Sequence, residues 1–369
     1  MRTVGLIGTI IWAGLIGLIG AYAARKKTEL VCGKEEERFT PLFAIFAILP
    51  LLLWAGFRDG RGYVDTNAYI KFFNMVPDTF EQLRYYIENV NNEDPGFTIY
   101  TAVIKRAFGH SYRPYLFITA AIQCFIVTFF YRKYSYNYCF SLFLFFASTD
   151  YFSWIFNGLR QFLAVVITIA GFQLLLDKKY FKYILIILLA STIHLSALIM
   201  IPLALVVTGK PWNRGTLITL GITVFILLFT NRFNSFLVNV MQNTQYGESI
   251  ATWDDDGTNI IRAVFYSMPT VFAFICRKKI AEEDNPLINT CVNMSILSSA
   301  IWTVSVVTSG IYFGRLPIYF GLYNYILFPY LIDHYFDDSW NADTTKIGVV
   351  LVYLIYYYYQ VQITWRALW

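Results

Sequence analysis

Residues 181–207, FKYILIILLASTIHLSALIMIPLALVV, form an apolar run of 27 residues that is interrupted by Ser191, Thr192 and His194. A helix of about 20 mostly apolar residues crosses a bilayer. The rest of the 369-residue chain has a similar composition, because 57% of all residues are hydrophobic and 14% are charged. A soluble domain carries about 25% charged residues. The composition excludes a soluble enzyme, a disordered chain and, despite the net charge of +5, a nucleic-acid-binding protein. It predicts a polytopic, all-α membrane protein.

Apolar runs occur along the whole chain and do not alternate residue by residue, which excludes the strands of a membrane barrel. The runs lie at about 4–24, 40–57, 114–131, 136–150, 158–176, 181–207, 214–231, 260–276, 287–309, 315–332 and 346–362. We therefore expect a transmembrane helix bundle with roughly 11–12 membrane segments. It should form a single integral membrane domain over residues 1–369, with outer loops at about 58–95 and 232–259.

Turns that are rich in Lys and Arg usually face the cytoplasm. Residues 178–182 and 210–214 are both such turns, so the chain between them has to leave the cytoplasm and return. One apolar run lies there, and we interpret 181–207 as two arms of about 12 residues that meet near the outer face at His194. The amphipathic stretch 96–109 is predicted to lie on the outer surface or to dip into it.

The two basic residue types are distributed unequally on this predicted topology. The cytoplasmic side carries 11 Lys and 5 Arg, whereas the outer side carries 2 Lys and 11 Arg. Lysine is sufficient to orient a membrane protein, but the planar fork of arginine binds phosphate oxygens in pairs. Either the difference is small-number scatter, or the outer face binds a phosphorylated ligand.

Polar residues within apolar runs are costly and are therefore candidates for function. Asn157, Arg160 and Gln161 lie on one face at the start of the run 158–176, where a helix N-terminus favours an anion. His194 lies at the predicted break, where access to water and an ordinary histidine pKa of about 6.5 would suit proton transfer. The alternative for Arg160 is that its side chain only reaches the lipid headgroups. The alternative for His194 is that it only makes a hydrogen bond to a neighbouring carbonyl.

The predicted outer regions contain further candidates. Arg58 ends the second apolar run, and Asp65 and Tyr69 share a face if this stretch is helical. A hydrated loop with ordinary charges is the alternative for these positions. The remaining candidates of this kind are Glu93, Arg315 and Tyr319.

Two acidic groups are interpreted as solvated rather than metal-binding. Asp254–Asp256 resemble the acidic metal-binding motifs of nucleotide-sugar transferases. They lie in the predicted outer loop, however, whereas nucleotide sugars are made in the cytoplasm. His334, with Asp337 and Asp338, has no partner at metal-ligand spacing. The sequence also lacks a glycine-rich phosphate loop, a G-x-S-x-G elbow and an H-E-x-x-H pair. We therefore expect neither a metal nor a cofactor.

Several short motifs follow one another in a distinctive order over about residues 57–330. They are Phe57–Arg58, Val64–Asp65–Thr66 with Tyr69, Glu93 with Gly96–Phe97, Asn157 with Arg160 and Gln161, His194 with Ser196–Ala197, and Arg315 with Tyr319–Phe320. This order resembles the EpsG family, polytopic membrane proteins of the Wzy polysaccharide-polymerase type. The resemblance implies a GT-C-like helix bundle, similar to O-antigen ligases. It also implies a multi-pass protein of the bacterial cytoplasmic (inner) membrane whose active site faces the outside or periplasm.

The resemblance further implies a glycosyltransferase whose donor and acceptor are both polyprenyl-diphosphate-linked oligosaccharide repeat units, such as undecaprenyl-diphosphate-linked ones. The product would be an O-antigen, capsule or exopolysaccharide. Enzymes of this kind need no nucleotide sugar and generally no metal. The implied partners are the lipid-linked oligosaccharide, membrane lipids and a chain-length regulator, with no nucleic acid.

A mechanism follows from the resemblance as a hypothesis. Arg160 and Arg315, with Arg58 as a third, would hold the donor diphosphate and stabilise its developing charge. His194 or Asp65 would accept the proton of the attacking sugar hydroxyl. The substrate contacts would be Tyr69, Glu93, Asn157, Gln161 and Tyr319.

The main alternative is a flippase for the same lipid-linked units. A transporter of this kind usually has a cationic cavity at the membrane midplane. The candidate residues are instead predicted to cluster at one face, which favours an enzyme. An O-antigen ligase or a membrane acyltransferase is the third possibility, although an acyltransferase would need His194 on the cytoplasmic side.

Overall fold

The computed structural model describes residues 2–31, 34–60, 65–90, 93–241, 257–335 and 339–365. Several residues discussed above lie outside these ranges, namely Val64 of the Val64–Asp65–Thr66 motif, Asp254–Asp256, Asp337 and Asp338. The described chain is almost entirely helical. Within it, one two-stranded antiparallel sheet pairs β1 (Lys26–Val31) with β2 (Lys34–Phe39).

The helices are numbered here in chain order. The first eleven are α1 (Arg2–Tyr22), α2 (Pro41–Gly56), α3 (Thr66–Met75), α4 (Phe80–Asn89), α5 (Pro95–Phe108), α6 (Tyr112–Tyr134), α7 (Tyr138–Ala147), α8 (Asp150–Asn157), α9 (Leu159–Ala170), α10 (Phe172–Leu176) and α11 (Tyr180–Ile193). The others are α12 (Met200–Val207), α13 (Arg214–Leu228), α14 (Thr230–Met241), α15 (Ile260–Ile275), α16 (Arg277–Glu283), α17 (Pro286–Val307), α18 (Ile318–Gly321), α19 (Asn324–Tyr335) and α20 (Ser339–Tyr358).

Among the described residues, four helices are long and apolar enough to cross a membrane, and they correspond to α1, α6, α17 and α20 with its continuation to Thr364. Three further helix pairs meet the same criterion together but are bent by 65° to 99° at a short break, which raises the number to seven if each pair is one span. Shorter apolar helices of 10–17 residues include α2, α9 and α11. The prediction of an all-α polytopic membrane bundle is confirmed.

The chain divides into two compact units. The first comprises Met1–Ile201 with Ile332–Trp369, and the second comprises Pro202–Leu331. In the second unit, α15 packs along α17, and the Thr270 hydroxyl lies 2.7 Å from Ser295 Oγ and 2.6 Å from Ser299 Oγ. These hydroxyl contacts join the two helices where Pro269 removes a backbone donor from α15.

In the first unit, α6 packs between α2 and α9. The β-hairpin is fixed to the end of α6 by Arg132, which donates to the Phe39 carbonyl and pairs with Glu29. Arg38 of the hairpin donates in return to the Lys133 carbonyl, at 3.1 Å. These bonds fix the basic turn after α1 against the basic end of α6, so both turns lie at the same end of the unit.

The helix that was predicted to break at His194 does so. α11 ends at Ile193, His194 has extended backbone dihedral angles, and a 3-10 turn spans Leu195–Ile199 before α12 begins. The side chain of His194 accepts a hydrogen bond from the Ser196 N–H and thereby caps the turn. This cap supplies a partner for one backbone donor that the broken helix would otherwise leave unpaired.

Candidate functional site

An ion pair joins the start of α5 to the start of α9. Asp94 immediately precedes α5, where an aspartate side chain normally accepts a hydrogen bond from its own helix. It makes no such bond, and its Oδ2 instead accepts from Arg160 Nη1 at 2.7 Å and its carboxylate from the Leu195 N–H. The carboxylate is 9% exposed, whereas the Arg160 side chain is 33% exposed. The acid is therefore enclosed, while part of the guanidinium remains accessible.

Tyr69 of α3 holds the same arginine from a second direction. Its hydroxyl oxygen accepts hydrogen bonds from the backbone N–H and from the guanidinium of Arg160. Burial raises the pKa of Tyr69 above 10.0, Asp65 raises it further, and Arg160 opposes both. The phenol is therefore neutral at physiological pH, and it orients Arg160 without compensating its charge.

The polar side chains at the break in α11 form a short chain of hydrogen bonds. His194 Nδ1 accepts from the Ser196 N–H at 3.3 Å and lies 2.7 Å from Ser196 Oγ, which in turn is 3.4 Å from Gln161 Nε2. A ring nitrogen that accepts a hydrogen bond carries no proton, so the neutral imidazole has its proton on Nε2. Gln161 follows Arg160 directly, and this chain of bonds therefore links the break to the Asp94–Arg160 pair.

A close helix contact brings these groups together. A Cβ atom on Gly96 would lie 2.1 Å from Thr192 Oγ1 and 2.9 Å from the Thr192 carbonyl carbon. Because any side chain at position 96 would collide with α11, glycine is required there for α5 to approach so closely. The approach places Asp94 beside the backbone of residues 194–195.

The Asp94–Arg160 pair lies level with the middle of α6. Gln123 donates to the Leu159 carbonyl at 3.0 Å, and Leu159 directly precedes Arg160. Gln123 is the central residue of α6, about 17 Å from each end of a helix that is long enough to span. The clustering of the candidate residues at the outer face of the membrane stays a prediction.

The buried and exposed residues of α5 indicate that this helix lies in apolar surroundings. Its Lys105 is buried and donates to three carbonyls at the end of α3, those of Phe73, Asn74 and Val76. Its outward residues Ile99 and Val103 are 47% and 59% exposed. A helix with a cation inside and apolar residues outside suits apolar surroundings, and α5, at 14 residues or about 21 Å, is too short to cross a bilayer.

The EpsG family model matches residues 42–364. This chain belongs to the EpsG family. Membership indicates a role of the polysaccharide-polymerase type in exopolysaccharide production. Neither a curated protein nor a solved structure matches the chain.

Other residues of this EpsG-family chain that the sequence singled out have different surroundings. Arg58 is buried, donates to Thr66 Oγ1 at 3.1 Å and lies 5.3 Å from the centre of the Phe156 ring. Thr66 donates in turn to the Phe156 carbonyl at 3.0 Å. These contacts tie α3 to the end of α8, so Arg58 supports the segment that carries Tyr69.

Asp65 and Asn157 border the site. Asp65 is half-buried, its side chain does not cap α3, and its charge influences the pKa of Tyr69. Asn157 ends α8, donates to Ser153 Oγ at 3.4 Å, and has a buried Oδ1 without a hydrogen-bond partner among the described residues. Glu93 is exposed, next to the buried Asp94.

Arg315 and Tyr319 belong to the second unit, where Arg315 is exposed in a 3-10 turn and Tyr319 is fully buried. Sequence reasoning missed Asp94. Its available signal was an aspartate immediately before Pro-Gly, which is typical of the residue before a helix. Among the described residues, no three His, Cys, Asp or Glu side chains lie where they could hold a metal ion.

Proposed function

We propose that this EpsG-family protein is a membrane glycosyltransferase that polymerises polyprenyl-diphosphate-linked oligosaccharide units into a surface polysaccharide. One observation carries the proposal: Arg160 is fixed by Asp94 and Tyr69 at the first turn of α9, and a third of its side chain remains accessible. An arginine that is oriented before its ligand arrives suits a diphosphate, because less side-chain freedom is lost on binding.

The start of α9 adds to the affinity for an anion. Arg160 is the second residue of this 12-residue helix, so the first backbone N–H groups and the positive end of the helix dipole lie beside its guanidinium. One of the five guanidinium N–H groups bonds Asp94, and Tyr69 accepts another. The remaining donors would bind the donor diphosphate and stabilise the charge that develops on it.

The reaction transfers a glycosyl group between two lipid-linked units. A hydroxyl oxygen of the acceptor sugar attacks the anomeric carbon of the donor, and the bond from that carbon to the phosphate oxygen breaks. Its electron pair stays on the released polyprenyl diphosphate. The hydroxyl proton passes to a base on the protein.

Of the two bases predicted from the sequence, Asp65 fits better. His194 Nδ1 already accepts from the Ser196 N–H, and the neutral ring has a proton on Nε2, so His194 would donate to a substrate oxygen. Asp65 is half-buried, acts electrostatically on Tyr69, and makes no ion pair with the described residues. We assign it the proton and give Asp94 the role of positioning Arg160.

The orientation and the substrate belong to the same proposal. The Lys-rich turns support a cytoplasmic position for the hairpin end, and the site would then be reached from the outer side of the bacterial cytoplasmic membrane. A lipid-linked diphosphate is the donor that this side offers, and the proposed chemistry uses cationic side chains and backbone donors rather than a metal ion.

A lipid-linked oligosaccharide flippase is the second candidate, and one observation favours it. The Asp94–Arg160 pair lies level with the middle of α6, where the short helix α9 begins and the short helix α11 ends. Discontinuous helices around a midplane site are typical of transporters. Product formation therefore has to distinguish the two functions.

The test uses the full-length protein in proteoliposomes with a defined polyprenyl-diphosphate-linked repeat unit. A ladder of longer lipid-linked products supports the polymerase, whereas movement of the unit across the bilayer without a ladder supports the flippase. Arg160→Lys should lower ladder formation by at least about tenfold, because lysine lacks the planar fork. Arg113→Lys, at an exposed position at the start of α6, is the matched control. Normal activity of Arg160→Lys would refute the diphosphate role.

A further inference from the structure

A cavity of about 640 Å³ lies in the first unit, away from the Asp94–Arg160 pair and at the end that carries the basic turns. The second half of α1, the β-hairpin, the start of α7 and the part of α20 around Lys346 line it. Its volume is within the range of about 300–1,000 Å³ that is usual for small-molecule sites. Nothing in the proposed glycosyl transfer uses this cavity.

The floor of the cavity is a stretch of α1 that contributes only glycine and alanine residues to the lining. Cβ atoms placed on Gly14 and Gly17 would have no other atom within 4 Å. Glycine within a helix costs about 1 kcal/mol relative to alanine, and in membrane helices it usually allows a neighbouring helix to approach. No described helix takes that position beside these two glycines. The space above them is therefore available to a molecule other than the described chain.

The polar end of the cavity contains one loosely held cation. Arg38 and Lys346, which also line it, form short ion pairs with Glu36 and Asp333. Lys26 is 47% exposed, and its Nζ lies 3.8 Å from Glu37, at the limit of an ion pair. The 10-residue helix α7 begins in the same wall and directs its positive end there.

We infer that the cavity binds an anionic membrane phospholipid, with one acyl chain along the glycine floor of α1 and the phosphate beside Lys26. The floor between Ala13 and Ala24 is about 17 Å long, and its cationic end lies where a spanning α1 would meet the lipid headgroups.

The test measures lipid retention by the purified full-length protein with native mass spectrometry. Phosphatidylglycerol and phosphatidylcholine with identical acyl chains are titrated separately. Wild-type protein should retain phosphatidylglycerol about tenfold more tightly. Lys26→Gln should remove that preference, because it removes the charge next to the phosphate. The matched control is Lys27→Gln, which changes a neighbouring lysine that does not line the cavity.

A second pair of variants tests the acyl-chain position. Gly17→Leu fills the floor and should abolish tight retention of both lipids. Gly8→Leu is the control, because Gly8 also lies in α1 with no atom within 4 Å but outside the cavity. Gly14→Leu repeats the test if Gly17→Leu does not fold. The inference is overturned if a folded Gly14 or Gly17 variant retains both lipids normally, or if Lys26→Gln keeps the preference for phosphatidylglycerol.

Discussion

Replacing Asp94 by asparagine tests the central geometry of the site. The substitution keeps the size of the side chain but removes the charge that lies 2.7 Å from Arg160. Loss of one partner of a fully buried ion pair costs about 3–5 kcal/mol, and a surface pair contributes about 0–1 kcal/mol. Because Asp94 is enclosed and Arg160 is one-third exposed, we expect the interaction that holds Arg160 in place to weaken by an intermediate amount, about 2 kcal/mol. We expect binding of the transition state to weaken by the same amount.

A loss of about 2 kcal/mol corresponds to a decrease of roughly 30-fold in kcat/KM. The assay is the initial rate of product-ladder formation in proteoliposomes at several substrate concentrations. Glu93→Gln is the matched control, because it removes a charge from the exposed neighbour and should stay within about twofold of wild type. Our reasoning is wrong if Asp94→Asn keeps at least a third of wild-type kcat/KM, or if Glu93→Gln is the more damaging change.

The same carboxylate predicts a pH dependence. Burial raises the pKa of Asp94 above its ordinary 3.8, Arg160 opposes this rise, and Glu93 adds to it. Activity requires the ionised form, so it should fall as the pH decreases through a pKa higher than that of an exposed aspartate. Asp94→Asn should remove the contribution of Asp94, so that the acidic limb of the kcat/KM profile moves to lower pH. An unchanged acidic limb in that variant would assign it to another group.

Three further variants test the supports of the site. Lys105→Met leaves three carbonyls at the end of α3 without their donor and should lower the unfolding temperature by roughly 5 °C. The control Lys71→Met, at an exposed position of α3, should change the unfolding temperature little. Equal unfolding temperatures of the two variants would contradict the role of the buried amine. Gly96→Ala places a Cβ atom 2.1 Å from Thr192 Oγ1. It should lower the free energy of unfolding by about 1–3 kcal/mol and abolish most of the activity. Wild-type stability and activity would refute the close helix contact. Tyr69→Phe removes one acceptor and should lower kcat/KM about fivefold without moving its pH profile; a shifted profile would show that the phenol itself titrates.

Hydropathy and the distribution of Lys and Arg predicted the helical membrane fold and the break at His194. The break followed from two basic turns with one apolar run between them, which is a constraint on sides of the membrane. The position of the site relative to α6 could not follow from it. That position depends on where α9 begins, on where α11 ends and on the contact between Gln123 and Leu159, which are 36 residues apart.

The acidic partner of Arg160 shows a second limit. Glu93 and Asp94 are adjacent, equally acidic and next to the same Pro-Gly, so composition and spacing do not distinguish them. What distinguishes them is the direction of the chain as it enters α5, which encloses Asp94 and exposes Glu93. That direction depends on Gly96 packing against Thr192, almost 100 residues away in sequence.

The Asp94–Arg160 pair also explains how the proposed diphosphate site can remain folded without its ligand. An isolated arginine in apolar surroundings is costly, and the protein has to remain folded between turnovers. Asp94 compensates the charge in the empty site and occupies one N–H group, while Tyr69 holds the guanidinium without adding charge. In the proposed reaction, the diphosphate therefore binds a guanidinium that is already oriented and still has unbonded N–H donors. An acidic residue beside the arginine that binds an acidic ligand is therefore consistent with the proposed chemistry, because it compensates the charge of the empty site and keeps the arginine in place.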